Sequence, residues 1–350
     1  MHLAYVNQDK GIRPAKRKGA RVHVESMVDA FRALGARVTL IEEGDDARTL
    51  EALRTAHAAS PLALVYERYS LSGGAGARFA LDFGVPHVLE VNSPLIDEER
   101  AHRGEPKPSS IEIERFAFSN ATRLFAVSSQ VVDYVRGAGG RPEAIVLTPN
   151  AVDAERFQPR SSAVAGVPAG RVVLGFHGRL RPWHAFDRWV RAAAGLVRAG
   201  HDIHVLTIGE GDYESPLRAE LPEARFTTVG WVSHAEVAEH VAAFDILPLS
   251  YSPDAPCYFS PLKLLEGMAC GAVPVVPDLG DLPDVVQDGI NGLVYDSLSG
   301  NGLQGALERV VTDSDLRGRL SGNAIETARE HSWNSIAQLA LAVAGKVRTS

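Results

Sequence analysis

A chain of 350 residues exceeds what one hydrophobic core usually fills and suits two domains. With 45% hydrophobic and 23% charged residues its composition is that of a globular protein, which excludes the disordered and fibrous classes. The formal charge of −7 offers no general attraction for nucleic acid, and no nucleic-acid partner is expected; residues 1–160 hold 21 basic and 21 acidic side chains, so the first half is the relatively basic one.

The two cysteines, Cys257 and Cys270, form no CxxC pair, which argues against a disulfide framework and for a reducing compartment. Met1-His2-Leu3-Ala4-Tyr5-Val6 runs straight into Asn7-Gln8-Asp9-Lys10 without the apolar core of a signal peptide. No apolar run approaches the ~18 residues of a membrane span. A cytoplasmic protein without stable membrane insertion is expected.

Short β-rich runs alternate with amphipathic stretches from the first residue, the pattern of βα units around a parallel sheet. Strands are predicted near 2–7, 37–41, 62–66, 86–91, 122–127 and 144–147. In the stretch 22–31 Val24, Met27, Val28 and Phe31 share one helical face, and Gly35 stops that helix. After Asn150 the periodicity fails, and residues 158–170 have the composition of a linker. A second series follows, with strands near 171–176, 203–208, 225–229, 244–248, 273–276 and 292–295. The expected domains are 1–160 and 161–331 with a cleft between them, and an amphipathic helix over 332–350 behind Ser332 that returns to the first domain.

The most informative segment runs from Tyr258 to Val276. Ser260 is placed to cap a helix that Pro261 starts and Leu262 continues, leaving backbone N–H groups and a positive dipole end for a diphosphate. Glu266, five residues after Pro261, offers a carboxylate to ribose hydroxyls; a solvated Glu on a well-capped core helix is the alternative. Gly178-Arg179-Leu180-Arg181-Pro182-Trp183-His184 follows the first strand of the second series. Arginine suits phosphate because its planar fork binds two oxygens and stays charged, whereas histidine makes a weaker, pH-dependent contact. Gly209-Glu210-Gly211-Asp212 follows the strand ending at Ile208, and Val229-Gly230-Trp231-Val232 the next one.

These segments together resemble glycosyltransferase family 4 over nearly the whole chain, and the resemblance implies the α/β GT-B fold of two Rossmann-like domains facing a central cleft. It implies that Arg179 and His184 stand where the family grips the diphosphate with an Arg and a Lys, with Arg181 beside them. Glu266 matches the second of two helix glutamates, and Tyr258 stands in place of the first. Gly209 and Gly211 would line the nucleotide side, Trp231 and Val232 the base, and Gly19, in Lys18-Gly19-Ala20-Arg21, the region of the transferred sugar. Asn92 occupies a position at which many members carry a histidine. Thr148-Pro149-Asn150 and Ser332-Trp333 match the end of the first domain and the start of the crossing helix.

Glu67, Arg68 and Glu90 lie at predicted strand ends, the carboxyl edge where open α/β sheets bind ligands, and together with Lys18 they are candidate acceptor contacts; for Glu67 and Arg68 a surface ion pair is the alternative. The cluster Arg13, Lys16, Arg17, Lys18 and Arg21 suggests steering of an anionic acceptor. Asp313-Ser314-Asp315 has the DxD form of metal-dependent transferases but reads as a helix cap, and Ser72-Gly73-Gly74-Ala75-Gly76-Ala77 reads as a close-packed helix start. The resemblance implies a retaining, metal-independent hexosyltransferase with a nucleotide sugar, a UDP-sugar favoured, as co-substrate, no other cofactor, and an acceptor the sequence does not name. Asn92, no base, would bond a sugar hydroxyl. The replacements at Tyr258, His184 and Asn92 keep a second reading open, a catalytically silent sugar-nucleotide-binding subunit, with a nucleotide-sugar epimerase as a third.

Overall fold

The computed structural model describes residues 1–12, 19–255, 257–258 and 260–347, and Arg13, Lys16, Arg17 and Lys18 of the basic cluster lie outside them. The chain forms two compact units, one of residues 1–150, 258–260 and 333–350 and one of residues 151–257 and 261–332.

The first unit runs β1 (His2–Asn7), α1 (Gly19–Ala33), β2 (Arg37–Ile41), α2 (Asp46–Ala59), β3 (Leu64–Arg68), α3 (Ala75–Phe83), β4 (His87–Val91), α4 (Leu95–Arg103), α5 (Pro108–Asn120), β5 (Arg123–Ala126), α6 (Ser129–Gly137) and β6 (Ile145–Leu147). Its six strands are all parallel in the order β2-β1-β3-β4-β5-β6. Parallel strands are buried on both faces, which is why β1 is apolar or sequestered at every position, His2 and Asn7 included.

The second unit runs β7 (Val172–His177), α7 (Phe186–Arg198), β8 (Ile203–Ile208), α8 (Glu214–Glu220), β9 (Phe226–Val229), α9 (His234–Val241), β10 (Ile246–Pro248), α10 (Leu262–Ala269), β11 (Val273–Pro277), α11 (Leu282–Val285), β12 (Leu293–Tyr295), α12 (Gly302–Thr312) and α13 (Ser314–Glu330). Its sheet has the order β12-β11-β10-β7-β8-β9, again all parallel. Trp189, Leu196, Val205, Ile246 and Leu293, each wholly or almost wholly buried, anchor its core. The last helix, α14 (Trp333–Val347), packs on α1 and β3 of the first unit.

The stretch read as a linker is tied to the second unit, the Ser162 hydroxyl donating to the Glu239 carbonyl at 2.6 Å and the Gly166 carbonyl accepting from the Thr227 hydroxyl at 2.9 Å, and so is the segment before it. The Val152 N–H donates to the His331 carbonyl at 2.9 Å, Phe157 is buried, and Pro159 lies against Gly271. That unit therefore begins at Ala151 rather than near 161. Asp313 caps α13 by accepting from the Leu316 N–H at 2.8 Å. The Ser72–Ala77 segment is a close-packed helix start: a Cβ on Gly73 would meet the Asp46 carboxylate at 2.1 Å and one on Gly76 the Glu67 carboxylate at 2.2 Å.

A buried charge cluster fixes α1 on the first sheet. His23 of α1 and Glu90 of β4 pair at 2.6 Å with both side chains almost fully covered, Arg68 of β3 stands 3.7 Å from the other carboxylate oxygen, and Trp333 meets the His23 ring edge-on. Burial alone would push Glu90 upward, but the His23 ring and the Arg68 guanidinium outweigh it and hold the carboxyl down at about 2. The folded-state pKa is thus below the unfolded one near 4.3, so this stability is present above about pH 4.5 and is lost as pH falls through 2. Glu90→Gln should unfold on the order of 3 kcal/mol more easily at neutral pH, and its urea midpoint should depend less on pH between about 4.5 and 2.

Candidate functional site

Three parallel strands of the second unit, β7, β8 and β9, end at the same edge of its sheet, where open α/β sheets bind ligands. Their connections are joined by backbone contacts. The Gly178 N–H donates to the Ile208 carbonyl at 2.9 Å, the Leu180 N–H to the Glu210 carbonyl at 2.8 Å, and the Gly209 N–H to the Val229 and Gly230 carbonyls at 3.1 Å. Gly209 and Gly211 have φ of 124° and 135°, and a Cβ on Gly209 would lie 2.0 Å from the Gly178 carbonyl oxygen. Both the backbone conformation and the space therefore demand glycine. Tyr213 closes the junction by donating to the Gly178 carbonyl at 2.7 Å.

Arg179, Arg181, Gly209, Gly211, Trp231 and Val232 thus sit on neighbouring connections. Arg179 is exposed, its Nε 3.6 Å from the Glu210 carboxylate. Arg181 is exposed and lies over the ring of Trp183, which is itself 40% exposed. Trp231 is 44% exposed, so simple core packing does not account for it.

His184 departs from expectation. It is buried in the 3-10 turn Pro182–His184, packed between Phe176, Trp183 and Tyr251, and burial together with the charges of Lys263 and Arg181 lowers its pKa to about 3. It is neutral through the physiological range, so the pH-dependent phosphate contact expected of an exposed histidine does not apply. The next residue, Ala185, is the one non-glycine residue with positive φ (42°) among those described. It makes the left-handed step from this turn into α7.

Helix α10 begins at Leu262, with Pro261 as its N-cap residue and no side-chain capping bond. The expected Ser260 cap is not formed: the Ser260 hydroxyl and carbonyl accept instead from the Asn150 backbone N–H at 3.0 Å and side-chain amide at 2.6 Å. Tyr258 likewise belongs to the first unit, donating to Glu98 at 2.5 Å, while its carbonyl accepts from Ser128. On α10 itself the Glu266 carboxylate pairs with His177 Nε2, at the end of β7, at 2.7 Å. Lys263, one turn earlier, is half-buried with its Nζ 3.2 Å from His184 Nε2 and 4.1 Å above the Phe176 ring. Burial pulls the Lys263 pKa down to about 7 against the opposing pull of Glu266.

His177 and Lys263 carry no role in the reading of the sequence, yet two signals point to them. Lys263 and Glu266 are spaced i, i+3, one face of a helix, and His177 ends a strand directly before Gly178.

In the first unit Gly19 is the first residue of α1 rather than part of a turn, and Lys18 lies outside the described residues. Arg21 pairs with both Glu25 and Glu42. Asn92, just past β4, has its side-chain amide nitrogen buried without a hydrogen-bond partner among the described residues. Glu67 and Arg68 neither form a surface pair nor share a face: Glu67 is buried against His87 at 2.9 Å beneath Gly76, and Arg68 turns to Glu90. Alternation of side chains along β3 separates them.

A profile described as "Glycosyl transferases group 1" matches residues 171–313 and one described as "Glycosyl transferase 4-like domain" matches 42–151. The chain is 30% identical over 289 residues to a D-inositol 3-phosphate glycosyltransferase of Saccharomonospora viridis, spanning 77% of this chain and 67% of the relative. The chain belongs to glycosyltransferase family 4. A second D-inositol 3-phosphate glycosyltransferase, from Actinosynnema mirum, is 28% identical over 305 residues, 81% of this chain and 72% of the relative. Among solved structures, sucrose-phosphate synthase from Thermosynechococcus elongatus superposes with a TM-score of 0.75 at 20% identity, and Anabaena HepE in complex with UDP and glucose with 0.73 at 17%, each over the full length of both chains. These likenesses establish the GT-B fold for the glycosyltransferase. No helix among its described residues is long and apolar enough to cross a membrane.

The left-handed Ala185 stores strain next to the site, since a Cβ in that region costs roughly 1 kcal/mol that glycine avoids. Ala185→Gly should therefore raise stability by about 0.5–1 kcal/mol, less the entropy that glycine adds to the unfolded chain, as read from the urea midpoint.

Proposed function

We propose that this glycosyltransferase is a retaining, metal-independent hexosyltransferase that draws its sugar from a UDP-sugar. The observation that carries the reading is the gathering of Arg179, Arg181, Lys263 and Glu266 around the joined ends of β7 and β8 and the first turns of α10, where cations and a carboxylate can take a diphosphate and a ribose. The neighbour solved with UDP and glucose supports a uridine nucleotide.

In this reading the Glu266 carboxylate, oriented by His177, accepts from ribose hydroxyls, the 209–211 and 230–232 connections face the nucleotide, and Arg179 stabilises the charge that develops on the departing diphosphate. The acceptor oxygen attacks from the side the diphosphate leaves, and its proton passes to a donor phosphate oxygen, because Asn92 has no basic atom. Asn92, with its unpartnered amide, hydrogen-bonds a sugar hydroxyl. The acceptor is an anion: the relatives are named for D-inositol 3-phosphate, and the 13–21 connection is rich in cations. Arg68 is the first-unit cation proposed for it, since burial commits Glu67 and Glu90 to histidines.

Incubation with UDP-glucose, UDP-N-acetylglucosamine and GDP-mannose, with EDTA and without acceptor, should give slow release of free sugar from one donor with its anomeric configuration retained. An isomerised sugar would mark an epimerase, binding without turnover a silent subunit, and activity abolished by EDTA and restored by Mg²⁺ a metal-dependent transferase. Arg179→Ala should lower kcat by roughly 10²–10³-fold while changing donor affinity far less, because its charge matters most as the diphosphate leaves. Equal losses in steady-state kcat and in calorimetric affinity would make it a ground-state anchor.

A further inference from the structure

Lys263 has a partner unusual for a lysine. Among the described residues its Nζ meets one hydrogen-bonding atom, His184 Nε2 at 3.2 Å, and no carboxylate lies within ion-pairing distance. The Arg181 backbone N–H donates to the other ring nitrogen, His184 Nδ1, at 3.1 Å. A neutral imidazole that accepts at Nδ1 carries its proton on Nε2. Nε2 is then a donor, and the atom facing it must accept, which an ammonium cannot do and an amine can. The geometry thus favours the unprotonated form of Lys263 in the free protein. The downward shift of its pKa to about 7, caused by burial, agrees independently.

The amine is also directed at the site. Lys263 is the second residue of α10, and its Nζ is 3.8 Å from where a Cβ on Gly178 would stand, beside the connection that carries Arg179. Gly178 has φ 110° and no side chain to screen that approach. Among the described residues the charged and titratable groups around Lys263 are few. Glu266 on its own helix is held by His177 of β7; His184 and Arg181 stand on the 3-10 turn; Arg179 is engaged with Glu210; and β7 presents only the face of Phe176. Among the described residues Glu266 favours the ammonium through its charge but forms no ion pair with it, whereas a diphosphate arriving beside Gly178 would meet it directly.

We propose that Lys263 is a diphosphate-binding cation of this site and that donor binding charges it, the amine leaving His184 Nε2, taking one proton from solvent and turning to the phosphate oxygens. The inference rests on the nucleotide-sugar reading above. It makes donor affinity a function of pH in the neutral range with Lys263 as the titrating group, His184 remaining neutral throughout.

The test is calorimetry of the full-length protein with UDP-glucose, UDP-N-acetylglucosamine and GDP-mannose, in buffers of different ionisation enthalpy. The diphosphates of these donors are diesters with no proton to exchange near neutrality, so any uptake belongs to the protein. The donor that binds should carry roughly 0.9 proton into the complex at pH 8, and its affinity should fall close to tenfold per pH unit above 7. Lys263→Met should abolish the uptake and weaken binding at least tenfold at pH 7. Lys263→Arg, charged at every working pH, should bind with an affinity that does not vary with pH and without uptake. A donor that binds the wild type with no proton uptake overturns the inference and leaves the nucleotide-sugar reading intact, and this measurement stands even where a variant fails to fold. Uptake that persists undiminished in Lys263→Met overturns it equally. If none of the three donors binds the wild type, the nucleotide-sugar reading fails and this inference with it.

Discussion

The approach of Gly209 to the Gly178 carbonyl brings two backbone connections together with no side chain between them, and the geometry of the second unit's site depends on it. A Cβ there would meet the carbonyl oxygen at 2.0 Å, so the β7 and β8 connections would have to separate. With them would move Arg179, which stands between Gly178 and Leu180, and Glu210, whose backbone holds Leu180. Because the strands below are parallel and in register from Val172 opposite Ile203 to His177 opposite Ile208, both connections leave the sheet at one level. Placing the site at this edge is thus a consequence of topology, and its fine geometry a consequence of glycine.

Around that junction the polar side chains are arranged in pairs that orient one another. His177 holds Glu266, the Arg181 backbone holds His184, and His184 faces Lys263. The first pair joins α10 to β7, the second braces the 3-10 turn and the third joins that turn to α10, so elements distant in sequence are locked at short range. A carboxylate held as Glu266 is by His177 needs no reorganisation to accept a hydrogen bond, the condition under which electrostatic stabilisation is most effective. The left-handed Ala185 fits the same pattern, with a small backbone strain kept where the turn must present His184.

The first unit follows a different economy. Its titratable residues at the sheet edge are satisfied internally: Glu67 by His87, Glu90 by His23 and Arg68, Arg21 by Glu25 and Glu42. A buried carboxylate needs such partners, since leaving one unpaired costs several kcal/mol. Glu67 and Glu90 therefore anchor α3 and α1 on the sheet, and these two carboxylates are poor candidates for direct contact with a ligand.

Much of this protein was legible in its sequence. Every predicted strand is present, within about two residues, because a strand buried on both faces must be a continuous apolar run bounded by turns. Two βα series pointed to two parallel-sheet domains and the family resemblance to the GT-B fold, and the glycines at 209 and 211 are where φ requires them. Asp313 as a cap follows from local chemistry alone, and the small residues at the start of α3 signal the close approach that Asp46 and Glu67 make there. What local chemistry leaves undecided is which partner a polar group takes when several are within reach. Ser260 is a good N-cap by type, yet it serves Asn150, 110 residues away in the chain; Glu67 and Arg68 are adjacent in sequence and face opposite sides of the sheet. His184 and Lys263 read separately as a loop histidine and a helix lysine, and their meeting across 79 residues, like the burial that lowers the basicity of Lys263, is decided by the fold. Patterns of burial are written along the chain, whereas the protonation state of a buried group depends on the dielectric and the charges that folding assembles around it.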